Sequence, residues 1–407
     1  MKTEHLLDVR FLEFCESPMR ILNEAETLPD GHYLHVLHRM EDKVLYEILK
    51  IGGFSWHTCY GDTDLPVELF IWQTNDTAAR DGLIADFGKV IPEDVGAIPD
   101  MLTTTSGRMA KDGEDDVPET VKAAKLKTPI VQVSGLSEMQ VRELQKQTAL
   151  MLEVSIVFCD KLKNGAEGPK MVVIPAGKFR MRDITGNGYS IEQPAHEAII
   201  EKPFAIGVYP VTVGEFMYFT ETTQYKTQAE VGDGFKWQWK KWKYANETTW
   251  RNPCFIQNSR HPVTVISKRD ANAYCEWLST QTAHEYRLAT GTEWEYACRA
   301  GSEEDWCFGN DENRLKDYAW YSENSRGSTH PVGEKKPNAF GLYDFHGNVW
   351  EWTASGYEYK GQEIHNTYTV RGGSWDNGPY HLRSTAICLR GTMSCNPRIG
   401  FRLVRVF

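Results

Sequence analysis

No apolar run in this sequence approaches the ~18 residues that cross a bilayer as a helix. The opening Met1-Lys2-Thr3-Glu4-His5 has neither the apolar core nor the small-residue cleavage site of a signal peptide. These absences set the expectation of a soluble, cytoplasmic protein with no membrane partner. Positive charge is scarce too, with 45 Lys and Arg against 56 Asp and Glu and a formal net charge of −11. Nucleic acid is therefore not an expected partner, because phosphate contacts need a basic surface. Nine cysteines form no CxxC and 12 histidines form no HxxxH. A thioredoxin-type dithiol and a zinc finger are thereby excluded. Scattered, odd-numbered cysteines read as reduced thiols of a reducing compartment.

What is present is a chain of 407 residues, 41% hydrophobic and 25% charged, which is globular and long enough for two or three domains. Most of its 13 tryptophans follow residue 230, so the second half is aromatic-rich and turn-rich.

Residues 1–76 read as a small two-layer α/β sandwich of order β-α-β-α-β-β. Leu6–Arg10 and Tyr33–His38 are strand-like, and Met19, Ile21, Leu22 and Ala25 share a helical face behind Ser17-Pro18. Val44, Leu45, Ile48 and Leu49 form a second helix closed by Gly52-Gly53, followed by strands at Phe54–Trp56 and Val67–Trp72. His32, His35 and His38 fall on the second strand with His35 on the opposite face, a poor mononuclear metal site; a solvated face is the simpler reading. The run LDVR, SPMRIL, LHVLHR, LYEIL and GGF resembles a small uncharacterised bacterial domain of sulfur-carrier-like fold. That domain occurs alone or fused to redox and denitrification proteins.

Residues 77–128 lose periodicity and read as a linker, and 129–166 as a connecting strand and helix. The heptad-like spacing of Val141, Leu144, Thr148, Met151, Ser155, Phe158 and Leu162 predicts a helix from Ser137 to about Lys163. Residues 167–407 then carry MVVIPAGKF, HPVTVIS, RLATGTEWEYACRAG, NAFGLYDFHGNVWEW, VRGGSW and IGFRL in that order.

This set resembles the formylglycine-generating enzyme (sulfatase-modifying factor) superfamily. The resemblance implies an α+β architecture whose C-terminal domain has a C-type-lectin-like fold with much irregular structure. Trp294, Trp350, Trp352 and Trp375 match its motif tryptophans and are expected in the core. Gly347, Gly372, Gly373 and Gly400 are expected at positive φ or tight packing. It also implies Ca2+ at Glu351 and the carbonyls of His346, Gly347 and Val349, a hard oxygen set. A second calcium site of the family begins at an Asn where this chain has Trp320.

Catalytic relatives carry a copper-binding cysteine pair soon after Gly-Gly-Ser. Here Gly372-Gly373-Ser374 is followed by Trp375-Asp376-Asn377-Gly378-Pro379-Tyr380-His381, with no thiolate for soft Cu(I). Sulfoxide synthases of the superfamily take iron from a helical HxxxH domain, which this chain lacks. Neither iron nor copper is therefore supported, and no catalytic residue is assigned. The leading expectation is a binding or accessory protein for an unknown protein or small molecule. A nonheme metal-dependent oxidoreductase of the sulfoxide-synthase kind, or a denitrification-linked accessory factor, is the alternative.

Asp376, Asn377, Tyr380, His381, Ile387, Cys388, Leu389 and Met393 are the expected ligand-contact residues. They lie between fixed motifs and resemble the diversified segment of retroelement variable proteins, which display a binding face on this fold. An exposed face of this kind would let Tyr380, Ile387 and Leu389 be exchanged together for Asn with little change in melting temperature.

Overall fold

The computed structural model describes residues 4–9, 16–38, 43–59, 67–81, 130–232, 235–236, 248–359 and 362–407. Most of the expected linker lies outside the described residues. Among the described residues no helix is long and apolar enough to cross a membrane.

The N-terminal unit runs β1 (Glu4–Asp8), α1 (Glu16–Glu26), β2 (Tyr33–His38), α2 (Lys43–Gly52), β3 (Phe54–Cys59) and β4 (Val67–Gln73). Its sheet has the order β1-β2-β4-β3, with β1 and β2 parallel and the other pairs antiparallel. Ile21, Leu22 and Ala25 of α1 and Leu45, Ile48 and Leu49 of α2 meet Leu34, Val36, Leu69 and Ile71 of the sheet. This is the β-α-β-α-β-β sandwich that the apolar spacing requires. The other face of β2 is not solvated as expected. His35, on that face, is buried, its ring stacked on Phe70 at 4.4 Å and its Nδ1 2.6 Å from Glu4 Oε1, and His38 is buried on the opposite side, that of Leu34 and Val36. Among the described residues no group of His, Cys, Asp or Glu is arranged to hold a metal ion.

Downstream come β5 (Val131–Gln132) and α3 (Glu138–Met151). Ser137 caps α3 in a reciprocal box with Gln140, which satisfies donors at both the cap and the third helical position. The helix stops at Met151 rather than near Lys163, and Glu153 takes a left-handed φ of 57°. Val154, Ile156 and Val157 follow, β-branched residues that favour extended chain, and β6 (Val157–Phe158) forms there. Val133 and Val141 pack into the same core as Val172, Trp294 and Val404, so this segment is built into the domain after it.

That domain continues with β7 (Met171–Ile174), β8 (Gly177–Met181), β9 (His196–Ile200), β10 (Phe204–Gly207) and α4 (Val213–Thr223). Then come α5 (Lys268–Thr282), β11 (Tyr286–Leu288), α6 (Gly291–Arg299), β12 (Trp350–Tyr359), β13 (Gln362–Arg371), β14 (Ile387–Gly391), β15 (Ile399–Phe401) and β16 (Leu403–Val406). Helices α4, α5 and α6 each begin on a capping box, from Thr212 and Glu215, Ser267 and Asp270, and Thr290 and Glu293. The strands form a five-stranded sheet β11-β16-β10-β7-β6, a four-stranded sheet β14-β13-β12-β15 and a three-stranded sheet β5-β8-β9. In the four-stranded sheet Glu351 lies beside Arg371 on one side and Gly400 on the other, which draws three distant motifs together. Gly400 is needed there because a Cβ would come within 2.5 Å of the Val263 carbonyl oxygen. Gly347 combines a φ of +87° with an equally close approach to the Trp320 carbonyl. Trp294, Trp350, Trp352 and Trp375 are all buried.

His261 gives this domain an acid-sensitive point. Its buried ring holds Thr329 Oγ1 at 2.9 Å from Nδ1, and burial, His330 and Arg260 together lower its pKa to about 4. An unfolded imidazole titrates near 6.5, so below that pH the unfolded chain binds the extra proton and stability falls as pH drops toward 4. The loss should be on the order of 2–3 kcal/mol. Denaturant titrations of His261→Gln at pH 7 and pH 4.5 should show a shallower pH dependence than the parent; an identical slope would remove His261 as its source.

Candidate ligand site

The N-terminal sandwich does not stand apart from the rest. Its core is continuous with Ile191, Ile364 and Leu389 of the C-terminal domain, and Tyr189, Tyr357 and Ile387 pack against the same cluster. Asn23 of α1 accepts from Ser190 Oγ at 2.6 Å. The two units close over a cavity of about 430 Å³. Its walls are Leu22 and Glu26 of α1, Met181 and Arg182, the 190–193 turn, the start of α6, Ser355–Glu358 of β12, Thr369 and Arg371 of β13, and Ile387 of β14.

Each polar wall residue is positioned by a specific local feature. Arg182 follows β8 in a left-handed conformation, φ 72°, which its surroundings over-determine. Its backbone N–H donates to Glu295 Oε1 at 2.7 Å, and its carbonyl accepts from Arg299 Nη2 at 2.9 Å. Its Nη1 donates to the carbonyls of Ile191 and Gln193 at 3.1 and 2.8 Å. Glu295, fully buried, is shared by Arg299 and Arg371. Burial alone would raise this carboxyl, but the two guanidiniums outweigh it and hold it below its ordinary value. Gly291, the first residue of α6, donates to Ser355 Oγ at 2.8 Å. Two donors have no hydrogen-bond partner although buried: Arg182 Nε and Arg371 Nε. Unsatisfied buried donors are costly, and these two lie behind the wall.

The eight residues expected to contact ligand do not form one exposed face. Asn377, His381, Cys388 and Leu389 are buried, at 2%, 6%, 1% and 8% exposure. Cys388 belongs to the core with Trp350 and Val370, and Leu389 to the core shared with the N-terminal domain. The apolar patch is therefore a surface covered by the chain itself. Tyr380, half-buried, donates to the Asn187 carbonyl at 3.0 Å and meets the Tyr189 ring edge-on. Asp376 pairs with Arg398, and Met393 is half-buried. Ile387 alone of the eight lines the cavity. Residues such as Arg182 and Ser355 carry no sequence signal, because the cavity is assembled from segments hundreds of positions apart.

The oxygen set expected for Ca2+ does not fit the ion. Glu351 is buried, and Arg402 engages it through Nε at 3.1 and 3.0 Å and Nη2 at 2.8 Å. Trp294 Nε1 donates to its Oε2 at 2.7 Å. A divalent cation on this carboxylate would lie against a guanidinium, and the Gly347 carbonyl already accepts from Val349 N–H at 2.8 Å. Glu351 is the structural acid of an arginine pair.

Buried motif tryptophans, a mixed-sheet core and an arginine-bound glutamate define a C-type-lectin-like domain of the formylglycine-generating kind. The family model for the sulfatase-modifying factor enzyme 1-like domain matches residues 159–407, more than half of the chain, and the chain belongs to this family. It is similar to the inactive C-alpha-formylglycine-generating enzyme 2 of Mus musculus, 31% identical over 288 residues, 61% of this chain and 89% of that relative. It is also similar to the formylglycine-generating enzyme of Mus musculus, 34% identical over 227 residues, 46% of this chain and 58% of that relative. Among solved structures, PvdO from Pseudomonas aeruginosa is 31% identical with a TM-score of 0.54, covering 62% of this chain and 98% of that one.

Proposed function

We propose that this chain is a non-catalytic accessory protein of its family that holds a small ligand where its N-terminal domain closes on the C-terminal one. Identity does not separate the two kinds of relative, since an inactive one and an active one are matched at 31% and 34%. The residues separate them, and the observation that carries the reading is Asn377. It lies in the thiol-free stretch after Gly372-Gly373-Ser374, and its Oδ1 accepts from Trp350 Nε1 at 2.7 Å and from Ser374 N and Oγ at 2.9 and 2.7 Å. A carbonyl oxygen receiving three donors fixes a turn, and an amide supplies no thiolate for Cu(I).

The cavity supports the binding half of the reading, being within the size range of small-molecule sites and lined mostly by polar and charged side chains, with apolar surface from Leu22, Met181, Ile191 and Ile387. A retroelement-diversified display surface is the less favoured use of residues 376–398, because Asn377, His381, Cys388 and Leu389 are buried. The cysteines with described side chains are all free thiols, which suits the cytoplasm as its proposed compartment. Incubation with a sulfatase-derived cysteine peptide, Cu(I) and O2 should leave the peptide mass unchanged. Conversion of its cysteine to formylglycine would overturn the reading.

A further inference from the structure

Resting on the cavity as the ligand site, we infer that it takes a small organic acid with a single negative charge and an apolar body. The inner end is positive. Among the described residues Arg182 forms no ion pair, and its guanidinium is held by two backbone carbonyls alone. Arg371, 1% exposed, shares Glu295 with Arg299, so that group of three carries one net positive charge. The neighbouring acid, Asp183, is not part of the wall; its carboxylate accepts from Gly186 and Gly188 N–H and from Gln193 Nε2.

The remaining walls set the rest of the ligand. Leu22, Met181 and Ile191 supply apolar surface suited to a short hydrocarbon body. Glu26 and Glu358, both exposed, line the same cavity. Two acids there oppose a second negative charge, which disfavours dicarboxylates and phosphate esters against a monoacid.

Hexanoate, adipate and hexylamine, offered to the full chain in calorimetric titration and thermal-shift assays, test this directly. Hexanoate should bind and raise the melting temperature, whereas adipate should bind at least several-fold more weakly and hexylamine should do neither. Arg182→Gln should weaken hexanoate binding by tenfold or more. The doubly substituted Glu26→Gln, Glu358→Gln protein, with its melting temperature first compared with the parent's, should bind hexanoate about twofold tighter per charge removed. Equal binding of hexylamine, or hexanoate binding indifferent to all these substitutions, would overturn the inference. If hexanoate is inert while a small-molecule fraction of cell extract stabilises the parent and not Arg182→Gln, the acid class falls and the ligand site stands. If neither stabilises, the site falls with it.

Discussion

Replacing Leu389 by Asn should destabilise the protein by about 3–5 kcal/mol, the range for emptying a buried leucine site and leaving a polar amide without adequate partners. Leu389 lies on β14, pairs with Thr369 of β13, and packs into the core that the N-terminal sandwich shares with the C-terminal domain. The expected consequence is a melting temperature lowered by roughly 6–15 °C, with the two domains uncoupled in calorimetry. Met139→Asn, at a position 80% exposed on α3, is the control and should stay within about 0.5 kcal/mol of the parent. A Leu389→Asn protein that melts like the control would return β14 to the solvent and restore the open binding face that its apolar composition suggested.

Removing Arg402 should cost as much or more. Its guanidinium holds Glu351, the carbonyls of Gly207 and Val208 at 2.8 and 3.0 Å, and that of Tyr343 at 2.7 Å, and it stacks 4.0 Å from the centre of the Phe345 ring. Arg402→Ala leaves Glu351 as a buried charge without its counter-ion, a change of about 3–5 kcal/mol or failure to fold. The double substitution Glu351→Gln, Arg402→Met should recover part of that loss, because no net charge is then left buried. Chelation with EDTA gives a reading on the same site in the unmodified protein. With Arg402 as the partner of Glu351 the melting temperature should not move; a fall of several degrees that Ca2+ reverses would show the ion to be part of the fold.

Much of the architecture was legible in the sequence because its causes are local. The capping boxes at Thr212, Ser267 and Thr290 span four residues each, and the helices begin where those boxes fall. The helical spacing of Leu45, Ile48 and Leu49 places those side chains without knowledge of any partner. The C-terminal domain was legible by another route, through motif tryptophans and glycines that resemble those of a known family. The helix expected to run to Lys163 failed at Val154, where a periodic seam was followed across β-branched residues that prefer extended chain.

Tertiary structure alone decided which apolar strand meets solvent and which meets another part of the chain. Ile387 and Leu389 have the same side chains whether β14 faces a ligand or α2, and hydrophobicity cannot tell one apolar partner from another. His35 likewise reads as a surface histidine until Phe70 and Glu4 are brought to it. The cavity is the extreme case. Arg182 and Arg371 are 189 positions apart in number, and both reach the cavity wall because Glu295 holds one backbone and the other guanidinium at once. Charge acts through distance in space, and that distance exists only once the chain has folded.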